Sequence, residues 1–180
     1  MKILFTRRKN YEHNLGIRLA DTMINGQGLG EVAKLRYGLC HMSFNGCEVI
    51  AVHNALRYAG KPQKLQDIAF FLEKYRVLLG LFGCNVFRLG RALEKFGVDC
   101  ERTDKIDELP AFIISFWTGR PLLSEIHTVF CVREKNEIKV YNRYNSCGTV
   151  RRGTAENGLF GKYKPIVIYG VQKTPSHTIE

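Results

Sequence analysis

Apolar positions along the chain fall into two regimes. From residue 47 to 97 they recur at helical spacing, and from residue 111 onward they come as short dense runs. Residues 47–59 carry Val49, Ile50, Val52, Leu56 and Tyr58, follow Asn45-Gly46 and stop at Gly60. Such a segment, apolar nearly all round, predicts a buried central helix with Ser43 or Asn45 at its start. Pro62 opens a second helix over about 65–75, with Leu65, Ile68, Ala69 and Leu72 on one face. A glycine-containing loop, Gly80-Leu81-Phe82-Gly83, leads to a third helix over 85–96, where Val86, Leu89, Leu93 and Phe96 share a side and Gly97 follows.

The later runs read as strands. Ala111–Trp117 is continuously apolar, and 126–132 and 137–141 flank the polar turn Arg133-Glu134-Lys135-Asn136, predicting a hairpin. Pro165–Val171 predicts one more strand. Helices first and antiparallel strands after them make an α+β layout. Residues 1–40 predict a partly helical N-terminal arm, with loosely helical spacing over 11–36 broken at Gly26-Gln27-Gly28. The division is a helical part over 41–97, a sheet over 98–172 and a tail over 173–180, all within one domain of 180 residues.

Charge and cysteine content narrow the picture little. The net charge of +10 suits an acidic partner, but no block of five or six like charges marks a disordered nucleic-acid-binding arm. The six cysteines form no C-x-x-C pair, so no metal site is expected and no cofactor is indicated. The first residues hold an apolar run too short for a signal-peptide core, and no stretch is long enough to span a membrane. These features predict a cytoplasmic protein with mostly reduced thiols.

The candidate chemistry is that of a thiol nucleophile. Cys47 stands where a helix N-terminus favours a thiolate, and its N–H can donate to an oxyanion. The neighbouring Glu48 opposes this, since a carboxylate raises a thiol pKa. A base is expected from the sheet. His127 begins one strand of the hairpin and Asn142 ends the other, so antiparallel pairing brings the two together. Asn142 can then hold the imidazole in the tautomer that faces the thiol, with Asn145 the alternative. Cys131 is expected in the core, Cys147 in a loop near the site, and Cys84 as a weaker candidate for a second reactive thiol. His53 reads as structural, and Gly26-Gln27-Gly28-Leu29-Gly30 lacks the strand and Lys-Ser/Thr of a phosphate loop.

Three stretches carry a family resemblance: Asn45-Gly46-Cys47-Glu48-Val49-Ile50-Ala51, residues 83–97, and Ile126-His127-Thr128-Val129-Phe130 through Val140-Tyr141-Asn142. They resemble the C39-like group of papain-fold cysteine peptidases. The resemblance implies a papain-like fold with a helical part packed on an antiparallel sheet. It implies hydrolysis of a peptide or amide bond through a thioacyl-enzyme, with Cys47, His127 and Asn142 as the triad. An acyltransferase using the same triad, or an inactive binding module with a basic surface, are the other readings. Relatives often carry Cys-Gly-Pro where this chain has Cys47-Glu48-Val49. They usually carry a glutamine six residues before the cysteine, where this chain has His41, which is expected to serve as the oxyanion donor.

Overall fold

The computed structural model describes residues 2–118, 125–154 and 165–173. Helix α1 (Lys2–Leu15) leads, by way of a short 3-10 turn at Gly30–Lys34, into a small hairpin of β1 (Arg36–Tyr37) and β2 (Cys40–His41). Helices α2 (Met42–Asn45), α3 (Cys47–Tyr58), α4 (Leu65–Leu72) and α5 (Leu89–Lys95) follow. A sheet then forms from β3 (Cys100–Arg102), β4 (Ala111–Thr118), β5 (Glu125–Glu134), β6 (Glu137–Tyr141), β7 (Arg151–Gly153) and β8 (Pro165–Val171). Its order is β3-β8-β4-β5-β6-β7, and every pairing is antiparallel. This is the α+β layout expected from the chain.

The predicted elements appear with small shifts. The second helix ends at Leu72 and passes into a 3-10 turn over Glu73–Tyr75. The third begins with a 3-10 turn over Val86–Arg88, where the Asn85 side chain accepts the Phe87 N–H at 3.0 Å. The hairpin turn tightens to Lys135-Asn136, because Glu134 pairs with Glu137 and Lys135 takes φ +54°. Four short strands, β1, β2, β3 and β7, carry too few residues for an alternation to be read.

Helix α1 departs most from expectation, since the helical spacing read over 11–36 lies mainly beyond it. Its described side chains dock through polar contacts, with the Tyr11 ring 4.8 Å from that of Phe70. Arg7 Nε donates to the Phe70 carbonyl at 2.7 Å, Asn10 Nδ2 to Glu73 and Gly38, and Tyr11 Oη to Asp67. Asn14 exchanges two hydrogen bonds with the backbone of Arg36.

The main core lies between the helices and one face of the sheet. Val49, Ile50, Val52 and Leu56 of α3 are fully buried there with Ala111, Ile113 and Phe130. The other face carries Phe112, Ile114, Phe116, Val129, Cys131, Ile138, Val140 and Ile168 as a second apolar layer. Period-two alternation along β4 and β5 separates these rows, and Cys131 is buried as expected. Among the described residues no helix is long and apolar enough to cross a membrane.

The start of α3 is sterically fixed. A Cβ on Gly46 would stand 2.1 Å from Met42 Sδ and 2.6 Å from the Met42 carbonyl oxygen. The methionine side chain can yield, but the carbonyl belongs to α2, whose last turn is closed by the Gly46 N–H at 2.9 Å. Gly46→Ala is therefore expected to cost about 1–3 kcal/mol as an overpacking change, read as a lower midpoint in urea unfolding.

Candidate active site

Cys47 is the first residue of α3, and its residue exposure is only 6%. The first bond of the helix runs from Ile50 N–H to the Gly46 carbonyl, which leaves the N–H groups of Cys47, Glu48 and Val49 without partners in the helix. That setting favours negative charge. The negative charge supplied there is Glu48. Its carboxylate is buried beside the thiol, and Cys47 Sγ donates to Glu48 Oε2 at 3.3 Å.

The competition between helix terminus and carboxylate resolves against a ready thiolate. Burial, then the charge of Glu48, push the Cys47 thiol well above its ordinary value. The backbone of Thr128, in hydrogen-bond contact with the sulfur, works the other way. Glu48 is itself raised to about 7 by burial, held down in part by its own N–H, the Cys47 thiol and the Cys84 N–H. The thiol is thus neutral at rest, beside a carboxyl group that ionises only around pH 7.

Cys84 is also buried, and burial followed by the Glu48 charge pushes its thiol up. Its Sγ lies 3.9 Å from the Leu72 carbonyl. This is the setting of an inert core thiol rather than a second nucleophile.

His127 and Asn142 meet, but through the backbone. His127 Nε2 lies 2.7 Å from the Asn142 carbonyl oxygen. A carbonyl only accepts, so Nε2 carries the proton and the neutral ring offers Nδ1 as its basic nitrogen. Burial lowers the His127 pKa, and the Asn142 backbone opposes that shift. The ring stands edge-on to Phe116 with centroids 6.0 Å apart, in the row of the sheet that holds Val129 and Cys131. Thr128 alternates to the other side, where its hydroxyl and that of Ser115 are 2.9 Å apart. Cys47 therefore abuts the His127–Thr128 segment through Thr128, and its thiol hydrogen goes to Glu48.

The Asn142 side chain has a different occupation from the one expected of it. Its Oδ1 accepts the Gln27 N–H at 2.8 Å, and its Nδ2 donates to Gln27 Oε1 at 2.9 Å. Its own N–H donates to Asn25 Oδ1 at 2.6 Å. Asn142 holds φ +60°, the left-handed conformation that asparagine tolerates better than most residues. Gln27 Nε2 donates in turn to the Ser43 carbonyl at 3.1 Å. Ile24 exchanges two backbone bonds with the Asn54 side chain, each 2.8 Å, which pins the arm to α3.

The Asn25–Gly28 segment therefore braces the end of β6, a role that sequence reasoning missed when it set the glycine-rich stretch aside. The available signal was Gln27 flanked by two glycines. Gly26 takes φ +81°, and a Cβ on Gly28 would stand 2.5 Å from Asn145 Oδ1.

The remaining candidates are Asn145, Cys147, His41 and His53. Asn145 is exposed, and its carbonyl accepts the Gly28 N–H at 2.8 Å. Cys147 is partly buried in the same loop, with its carbonyl beside Gly26. His41 ends β2 with an exposed side chain and makes no side-chain cap on α2. His53 is buried, with Nε2 at 3.3 Å from the Thr22 carbonyl, a structural position as expected. Among the described residues no group of three or more His, Cys, Asp or Glu side chains is placed to hold a metal ion.

No protein-family model matches the chain, and no curated protein matches it. Among solved structures it is similar to a double-glycine-motif protease from an AMS/PCAT transporter, solved in complex with a leader peptide. The two share 14% identity and a TM-score of 0.47, covering 71% of this chain and 84% of that one.

Proposed function

We propose that the chain is a papain-like cysteine hydrolase of the C39-like kind, acting on a peptide or amide bond. Cys47 is the nucleophile, His127 the base, and Asn142 the residue that positions the base through its carbonyl. The observation that carries this reading is the packing of Cys47, at the head of α3, against β5, the strand that carries His127. The hydrogen bond from His127 Nε2 to the Asn142 carbonyl adds to it by leaving Nδ1 basic.

The reaction runs in two halves. Nδ1 takes the thiol proton as sulfur bonds to the substrate carbonyl carbon. The C–N bond then breaks, and the amine leaves with that proton. Water next attacks the thioacyl-enzyme, giving a proton to Nδ1, and the acid leaves as sulfur recovers its proton. The Cys47 N–H is the proposed backbone donor to the oxyanion. His41, whose side chain is exposed, joins it only by turning toward the thiol. Both halves require the His127 ring, which here lies on the face of β5 away from Thr128, to turn until Nδ1 comes within hydrogen-bond reach of Sγ, in the place that Glu48 now holds.

The thiol setting favours a second reading, a non-catalytic module on the same fold that uses its basic surface to bind an acidic partner. A thiol buried, raised and bonded to a carboxylate is unlike an activated one. Labelling with an irreversible peptidyl electrophile separates the two. The wild-type chain is expected to be labelled at Cys47 and to hydrolyse members of a peptide library, and Cys47→Ala is expected to lose both. A folded wild-type protein that neither labels nor hydrolyses supports the binding module. An acyl product passed to an added amine in preference to water marks the acyltransferase form.

A further inference from the structure

We propose that Glu48 is a restraint on Cys47: its carboxylate holds the thiol hydrogen, and the site becomes reactive when that carboxylate is protonated or drawn away. This regulation of the site rests on the reading of Cys47 as nucleophile. Three features set Glu48 apart from a solvated helix-start glutamate. It is buried, with 2% exposure. Its oxygens are clamped against the backbone of another segment, since a Cβ on Gly83 would meet Oε1 at 2.6 Å and Oε2 at 2.8 Å. Its remaining contacts are neutral donors, the Cys47 S–H, its own N–H and the Cys84 N–H.

Three titratable groups that feel this carboxylate are pushed the same way. Its charge raises Cys47 on α3, Cys84 after the 76–83 loop, and Tyr37 on β1. The consequence for the nucleophile is direct. With Glu48 ionised, forming a thiolate places two negative charges side by side in a buried site. With Glu48 neutral, the thiolate is the single charge at a helix N-terminus. The clamp is also positioned to move, because Gly83 closes a loop in which Leu78 and Leu79 hold φ +44° and +59°. Such positions cost energy and persist only while the surroundings enforce them. The Leu79 carbonyl accepts the Leu39 N–H, and the Gly80 carbonyl accepts from Asn45 Nδ2, so this loop grips the segment just before Cys47.

The test is the pH dependence of Cys47 alkylation by iodoacetamide, followed peptide by peptide in wild type and Glu48→Gln. The glutamine keeps the shape and an acceptor oxygen but removes the charge. At pH 8, Glu48→Gln is expected to alkylate at Cys47 roughly tenfold faster or more. In wild type the rate should climb with pH, flatten above about 7 as Glu48 ionises, and climb again only when both groups are charged. Glu48→Gln should climb without that shoulder.

Equal or slower alkylation of a folded Glu48→Gln overturns the proposal. Should that variant not fold, a wild-type profile without the shoulder overturns it as well. Alkylation needs no turnover, so the outcomes are separable from the hydrolase reading. A Glu48→Gln protein that gains alkylation yet hydrolyses nothing sinks the hydrolase and leaves the restraint standing.

Discussion

Asn142→Ala is expected to lower the stability of the fold by at least about 3 kcal/mol, a far larger effect than loss of a surface asparagine. The side chain is buried, and it bonds Gln27 through both of its polar atoms. Removing it strands the Gln27 N–H and Oε1, at roughly 1–3 kcal/mol for each buried group left unpaired. It also places alanine at φ +60°, a left-handed position costing roughly 1–2 kcal/mol for a residue with a Cβ. Asn142→Gly should recover the second contribution but not the first, so it should fall between wild type and alanine. Chemical denaturation of the three proteins checks that order.

The same substitution separates two roles for Asn142. If its side chain directly oriented His127, the alanine variant would lose turnover in proportion to the missing contact. The contact observed is to the carbonyl, which alanine retains. Turnover at saturating substrate should therefore fall only as far as the 142–145 turn loosens. Asn145→Ala should do less to stability, because what Asn145 supplies to Gly28 is a backbone oxygen.

How much of this was legible in the chain depends on what held each piece. The helices over 47–58 and 65–72 and the strands from 111 onward are held by apolar burial, and apolar burial leaves a periodic trace. The described side chains of helix α1 leave little of that kind, because Arg7, Asn10, Tyr11 and Asn14 anchor it through hydrogen bonds to residues remote in sequence. Hydrophobic spacing cannot report a helix docked that way. The hairpin of β1 and β2 is equally silent, having two residues per strand.

The meeting of His127 with Asn142 was legible in position and less so in contact. Antiparallel register explains why His127 and Asn142 come together. It cannot say whether side chain or carbonyl makes the bond, since that depends on φ at Asn142 and on Gln27, 115 positions away in sequence. The opposition between helix terminus and Glu48 was visible in the dipeptide Cys47-Glu48. Its outcome was not, because an exposed carboxylate is screened and a buried one is not. Burial of Glu48 comes from Gly83 and Cys84, contacts made by the fold and not by neighbours in the chain.

His127→Ala is expected to reduce Cys47-dependent hydrolysis by roughly 10²–10⁴-fold, the usual contribution of a positioned base. A mainly structural histidine would lose stability instead and leave the pH profile unmoved, so the profile is the informative readout. The sign follows from the lowered pKa of His127. Burial disfavours the imidazolium, so the basic form persists to more acidic pH than for an exposed histidine. The acid limb of the hydrolysis rate assigned to His127 should thus lie below the ordinary value of about 6.5. The same shift makes the unfolded chain the better proton binder, so stability from this group is present above about 6.5 and is lost as pH falls toward and through the folded value. His127→Ala should remove both the acid limb and that part of the acid sensitivity, while leaving iodoacetamide alkylation of Cys47 subject to Glu48 alone. Hydrolysis unchanged in His127→Ala would remove the base from the proposed site. It would leave the carboxylate of Glu48, 3.3 Å from the sulfur, as the group placed to take the thiol proton.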